Sequence, residues 1–236
     1  MLDDEYLKER AGLINMTVDM GEALPGTPPG VFDPHSPQTE DNEMGTSHIS
    51  ITDQYGNALS MTTTVEWYFG SSLMVNGFLL NNQITDFSFS PTGEDGDPIA
   101  NRVQPNKRPR SSMSPTLVMD KETGEPAYVV GSPGGSRIIG FTARAIIAML
   151  DFGVDPQEAT NAPIVNNRNG DTEVEPPKEG ITPDYDYDGL VEGLESLGHV
   201  VSPTSFPSGL SLVKVVEDGF LGGADPRRDG IHRLLS

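Results

Sequence analysis

The chain has 236 residues, 35% of them hydrophobic, with 26 glycines and 20 prolines; that is enough for one good core or one large loop-rich domain, and unlike a coiled coil or a disordered chain. Its 15 Lys and Arg against 35 Asp and Glu give a net charge of −20, which disfavours nucleic acid and anionic membranes as partners. Cysteine is absent, so disulfides and thiolate metal sites are excluded and the redox compartment is left open.

Residues 1–14 place Tyr6, Leu7, Ala11, Leu13 and Ile14 on a partial apolar face and predict a short helix. The start, Met1-Leu2-Asp3-Asp4-Glu5, is acidic where a secretory signal is basic. No run approaches the roughly 18 apolar residues of a membrane-spanning helix. Residues 21–45, with Pro25, Pro28, Pro29, Pro34 and Pro37, predict an extended acidic linker. From residue 46 the pattern alternates. His48–Asp53 and Ala58–Val65, joined by Gln54-Tyr55-Gly56-Asn57, predict a hairpin. Phe78–Leu80 is a short apolar piece, and residues 88–110 form a polar loop. A second hairpin is expected at Thr116–Asp120 and Ala127–Gly131. Ser136–Phe152 has a broad apolar face and is the strongest helix. Shorter helices follow at Asp155–Ala162, capped by Asp155, and at Tyr185–Leu197, ending at Gly198. Leu210–Val216 and Gly219–Leu221 read as closing strands. Strands on both sides of a central helical block predict an α+β fold with sheet and helices in separate layers.

Chemistry enters at Gly45-Thr46-Ser47-His48. A threonine hydroxyl is a weak nucleophile, but the α-amine of an N-terminal threonine, with a reference pKa of about 7.7–8.0, can serve as its base. Cleavage before Thr46 would put nucleophile and base on one residue, and glycine before it leaves the bond uncrowded. Taken alone, Thr46 reads as an ordinary strand-edge residue. Three later segments change the weighting: Leu79-Leu80-Asn81-Asn82-Gln83-Ile84-Thr85-Asp86-Phe87, then Asn106-Lys107-Arg108-Pro109-Arg110-Ser111-Ser112-Met113-Ser114-Pro115-Thr116, then Gly131-Ser132-Pro133-Gly134-Gly135-Ser136-Arg137-Ile138-Ile139.

In this order the four motifs resemble the small catalytic subunit of the γ-glutamyltranspeptidase (glutathione hydrolase) family, over about Gly45 to Asp225-Pro226-Arg227. The resemblance implies the four-layer αββα sandwich of the N-terminal-nucleophile hydrolases, with sheets shared between two subunits. Residues 1–45 would be the end of a large subunit and its linker, and residues 46–236 the small subunit. It further implies autocatalytic cleavage at Gly45-Thr46, with Thr46 then acting as nucleophile. Thr64 would hydrogen-bond Thr46, and Gly134 and Gly135 would supply oxyanion-hole N–H groups at the opening of the best helix. Gln83 and Asp86 would hold the substrate α-ammonium, and Ser111 and Ser112 its α-carboxylate, aided by an arginine of the large subunit. The implied partners are a small γ-glutamyl substrate, water or an acceptor amine, and the large subunit of the same precursor, in a periplasmic or secreted setting.

Two departures from well-known members bear on substrate. Glu66 stands two residues after Thr64 where asparagine is usual, and strand alternation predicts that it faces the pocket with Thr64. The loop between Asp86 and Ser111 is short and lacks tyrosine, implying a more open pocket. These keep a related cephalosporin or glutaryl acylase as an alternative; an uncleaved non-catalytic chain is another. His48 is read as structural. No His, Asp or Glu cluster has metal-ligand spacing, so no metal or cofactor is implied.

Overall fold

The computed structural model describes residues 3–30 and 45–233. The elements, in chain order, are α1 (Asp4–Ala11), β1 (Thr46–Thr52), β2 (Ala58–Thr64), β3 (Met74–Val75), β4 (Phe78–Leu79), a 3-10 turn Gln83–Asp86, β5 (Thr116–Met119), β6 (Pro126–Gly131), a 3-10 turn Gly135–Arg137, α2 (Ile138–Leu150), α3 (Pro156–Asn161), β7 (Val165–Asn167), β8 (Thr172–Val174), α4 (Tyr187–Ser196), β9 (Val201–Pro203), β10 (Ser211–Val216) and β11 (Gly219–Ala224). Both expected hairpins form, as do the helices. Residues 31–44 of the expected linker lie outside the described residues.

Two β layers and one helical layer organise the described residues. β5, β6, β10 and β11 make an antiparallel sheet in the order β11-β10-β6-β5. On one face α2 and α3 bury Phe141, Ala145, Met149 and Ala159 against Val130, Leu212, Leu210 and Phe206. The β1–β2 hairpin lies on the other face, where small polar side chains let the two layers approach closely. The Ser50 hydroxyl donates to the Ser211 carbonyl at 2.7 Å and the Ser60 hydroxyl to the Val130 carbonyl at 2.9 Å. The outward face of the hairpin carries Ile49, Ile51, Leu59 and Met61, all exposed. An outer helical layer of an αββα sandwich would lie there, and no described element covers it. A three-stranded sheet, β7-β8-β9, flanks the helices.

His48 packs beneath the hairpin. A Cβ on Gly131 would sit 2.0 Å from its ring, so the close approach requires glycine there. Ser50 has already given its hydroxyl hydrogen to Ser211, so Nε2 of His48 is the donor to Ser50 Oγ at 3.1 Å and Nδ1 accepts from Thr62 Oγ1 at 2.8 Å. Burial pulls its pKa down to about 4. This agrees with the structural reading of His48.

Arg227 ties the C-terminal turn to α3. Its guanidinium meets Glu175 Oε2 at 2.5 Å and Asp225 Oδ1 at 3.0 Å, with these side chains 2%, 6% and 1% exposed. It also donates to the carbonyls of Thr160 and Ala162. Removing one partner of such a buried group strands the others without solvent. Arg227→Met is therefore expected to cost about 3–5 kcal/mol of stability in urea titration; an unchanged midpoint would show that the cluster is not under load. For His48 the sign follows from linkage: an unfolded ring binds its proton near pH 6.5 and the folded ring only near pH 4. Stability is then full above pH 6.5 and falls as pH drops from 6.5 to 4. His48→Gln should flatten that part of the stability curve, measured by thermal melts across the window.

Candidate active site

The register of the first hairpin places Thr46, the first residue of β1, opposite Thr64, the last of β2. The residue before it, Gly45, has φ +112°, and a Cβ there would lie 2.7 Å from the Glu66 carbonyl oxygen. Only glycine fits that backbone. Thr46 is 8% exposed, and its carbonyl accepts a hydrogen bond from Arg228 Nη1 at 3.0 Å. The Thr64 hydroxyl donates to the Gly45 carbonyl at 3.4 Å, a long bond, and accepts from the Glu66 N–H at 2.8 Å. In the uncleaved chain the Thr64 hydroxyl thus meets the preceding carbonyl, the acyl group of the Gly45–Thr46 peptide bond.

Glu66 reaches the cleft by a different route from the one expected. β2 ends at Thr64, and Glu66 sits beyond it at φ +73°, so strand alternation does not govern its direction. The left-handed turn directs its carboxylate inward, where it is 4% exposed and accepts from Asn82 Nδ2. Asn82 braces this corner further: its Oδ1 accepts from the Trp67 N–H at 3.1 Å and its own N–H donates to the Val65 carbonyl at 3.3 Å. The 3-10 turn that follows presents Gln83 and Asp86, with Gln83 Nε2 donating to Asp86 Oδ2. Burial pushes the Asp86 carboxyl up from the usual range, while the Gln83 hydrogen bond and the positive charge of Arg110 pull it down. Asn101 fastens Asp86 to the far loop, donating to the Asp86 carbonyl at 2.5 Å and accepting from the Arg110 N–H at 2.8 Å.

That loop delivers Ser111, Ser112 and Met113, and Ser114 Oγ anchors it to Thr142 Oγ1 of α2 at 3.2 Å. Thr46, Thr64, Glu66, Gln83, Asp86, Ser111 and Ser112 line one small solvent-open cleft, together with Met113 and Ile138. Seven of the nine residues singled out in the sequence converge here. Gly134 and Gly135 do not line the cleft: they lie one turn away at φ +134° and +62° and open a 3-10 turn, not α2 itself, which starts at Ile138 in the cleft wall. Asn82, Asn101 and Arg228 escaped sequence reasoning. The first lies inside a quoted motif; the other two meet the site only through tertiary contacts. Among the described residues no cluster of three or more His, Asp or Glu could hold a metal, and no helix is long and apolar enough to cross a membrane.

The chemical content of the cleft is a threonine hydroxyl on one wall, two carboxylates able to face a cation, and two serine hydroxyls able to face an anion. Comparison with known proteins agrees with that content. The sequence profile of the family described as Gamma-glutamyltranspeptidase matches residues 1–234. The chain is 34% identical over 242 residues to the glutathione hydrolase proenzyme of Bacillus subtilis strain 168, covering 98% of this chain and 38% of that protein. It is 38% identical over 221 residues to the glutathione hydrolase proenzyme of Escherichia coli K12, covering 89% and 35%. Among solved structures it resembles the Helicobacter pylori γ-glutamyltranspeptidase T380A mutant, with TM-score 0.64, 34% identity, and 77% of this chain and 99% of that one covered. It also resembles a cephalosporin acylase from Bacillus halodurans, with TM-score 0.74, 25% identity, and coverage of 98% and 38%. The chain spans little more than a third of the length of the two curated relatives. With the profile matched along almost its whole length, the chain belongs to the γ-glutamyltranspeptidase family.

Proposed function

We propose that the chain is the nucleophile-bearing C-terminal part of a γ-glutamyl hydrolase and transferase, with residues 46–236 as the small catalytic subunit and residues 1–45 as the end of the large subunit and its linker. The observation that carries this reading is the convergence of Thr46, Glu66, Gln83, Asp86, Ser111 and Ser112 on one cleft. In maturation, Thr46 Oγ attacks the Gly45 carbonyl carbon and its proton passes to the departing Thr46 nitrogen. Water then hydrolyses the resulting ester, leaving a Gly45 carboxylate and a free Thr46 amine. The Thr64 hydroxyl on the Gly45 carbonyl favours the charge that develops there. In catalysis the new amine takes the Thr46 hydroxyl proton as Oγ attacks the γ-carbonyl of the substrate. Collapse expels the amine product with that proton, and water or an acceptor amine then releases the glutamyl group from Thr46. Gly134 and Gly135, in the turn that leads into Ile138 of the cleft wall, would supply the oxyanion donors.

Glu66 and Asp86 fit the α-ammonium of a γ-glutamyl donor, and Ser111 and Ser112 its α-carboxylate. The similarity to a cephalosporin acylase along 98% of the chain supports a second reading, a glutaryl-type acylase. Two carboxylates in the cleft oppose it, because a glutaryl group lacks the ammonium and brings only negative charge.

The full-length protein is expected to yield a fragment beginning Thr46-Ser47-His48, and Thr46→Ala to yield neither fragment nor activity; cleavage at another bond, or activity retained by Thr46→Ala, would refute the nucleophile. Asp86→Ala should raise KM for a γ-glutamyl anilide roughly 10- to 150-fold, the equivalent of about 1.5–3 kcal/mol for a hydrogen bond to a charged group. A substrate without the α-amine should be little affected. Glutaryl and γ-glutamyl anilides compared side by side decide between the readings: kcat/KM should favour γ-glutamyl, and Glu66→Asn should narrow the ratio.

A further inference from the structure

Arg228 follows the Asp225-Pro226-Arg227 motif and, among the described residues, is the cation that touches the main chain of Thr46. Its Nη1 donates to the Thr46 carbonyl at 3.0 Å and its Nε to the Pro207 carbonyl at 3.2 Å. The guanidinium therefore clamps the start of β1 to the loop before β10. Its stem is equally confined: a Cβ on Gly209 would lie 2.9 Å from Arg228 Cδ. The loop is held in turn by Ser208 Oγ, which donates to Asp225 Oδ2 at 2.6 Å. Covalent geometry places the Thr46 nitrogen within about 7 Å of the guanidinium.

We propose that Arg228 is a positioning residue for the nucleophile: it holds the Thr46 main chain once the Gly45–Thr46 bond is gone, and its charge keeps the new α-amine in the neutral form that can accept a proton. This rests on Thr46 acting as the N-terminal nucleophile. The need for both roles is visible in the site. Cleavage removes the covalent restraint before Thr46, leaving the pairing with Thr64 and the Arg228 clamp to fix it.

The charges facing the amine pull in opposite directions. From the corner after β2 and from the 3-10 turn come Glu66 and Asp86, both in the cleft lining, which favour an ammonium. Arg110 acts on Asp86, and Asp225 and Tyr68 act on Arg228. Arg137, in the turn before α2, is committed to Glu173. His48, two residues along β1, is held neutral by burial. Among the described residues Arg228 is thus the positive charge bonded directly to the residue that bears the amine. A threonine ammonium beside two carboxylates would be a poor base at neutral pH, and a like charge bonded to the same residue opposes that.

The test is the pH dependence of kcat/KM for a γ-glutamyl anilide in the autoprocessed wild type, Arg228→Gln and Arg228→Lys. Gln keeps a donor and loses the charge; Lys keeps the charge and loses the fork. The acid limb of Arg228→Gln is expected to move up by about one pH unit, while Arg228→Lys keeps the wild-type midpoint with a lower kcat. An unmoved limb in Arg228→Gln would overturn the proposal, whatever happens to kcat. If Arg228→Gln stays uncleaved, Arg228→Lys decides: cleavage with the wild-type midpoint supports the proposal, and a displaced midpoint overturns it. Failure of both variants to cleave would mark a mere structural brace and overturn it as well. Failure of the underlying reading looks different, because Thr46→Ala would then remain active.

Discussion

The seating of the β1–β2 hairpin on the larger sheet is the constraint from which the cleft follows. Ser50, Ser60 and His48 form a thin polar layer against β6 and β10, with glycine at residue 131 to admit the imidazole. That contact sets the height of the hairpin, and its register sets Thr46 against Thr64. Larger inward side chains would lift the hairpin and carry Thr46 away from Ile138 and the Ser111-Ser112 loop. The use of serine, threonine and histidine where a sandwich core normally holds branched aliphatics trades hydrophobic burial for close approach. The apolar core lies instead on the other side of the sheet, under α2 and α3.

Charge in the cleft is arranged by backbone geometry as much as by side-chain identity. Glu66 is buried by a left-handed residue, Asp86 by a 3-10 turn, and Asn82 joins the two corners. A non-glycine residue at φ +73° is uncommon and persists only where its surroundings hold it. Here the Glu66 N–H is satisfied by Thr64 Oγ1 and its carboxylate by Asn82. The same threonine thus supports both the carboxylate corner and the Gly45 carbonyl, linking the proposed substrate-binding corner to the bond proposed for self-cleavage.

Local patterning made most elements legible. Alternation over His48–Asp53 and Ala58–Val65, the apolar face of Ser136–Phe152 and the Asp155 cap all correspond to structure, because each depends on neighbours within one or two turns. Four motifs, with Thr64 and Glu66 after the first, singled out nine candidate residues, and seven of them meet in the cleft. Alternation does not set the direction of Glu66, because β2 ends at Thr64 and a turn takes over. In the uncleaved chain the Thr64 hydroxyl meets the Gly45 carbonyl, a contact that depends on the bond still joining Gly45 to Thr46 and that residue patterning does not specify. Arg228 was invisible for a related reason: it lies 182 positions from Thr46, and only the tertiary fold brings them together.

Covalent capture addresses the central claim, that Thr46 is a nucleophile set in a pocket for a γ-glutamyl group. A glutamine analogue carrying an electrophilic diazo ketone at the γ-position would be incubated with the autoprocessed protein and the adduct mapped by peptide mass spectrometry. A single adduct on a peptide beginning at Thr46, suppressed by excess γ-glutamyl substrate, is the expected result. Labelling of another residue, or of a peptide in which Gly45 still precedes Thr46, would contradict it.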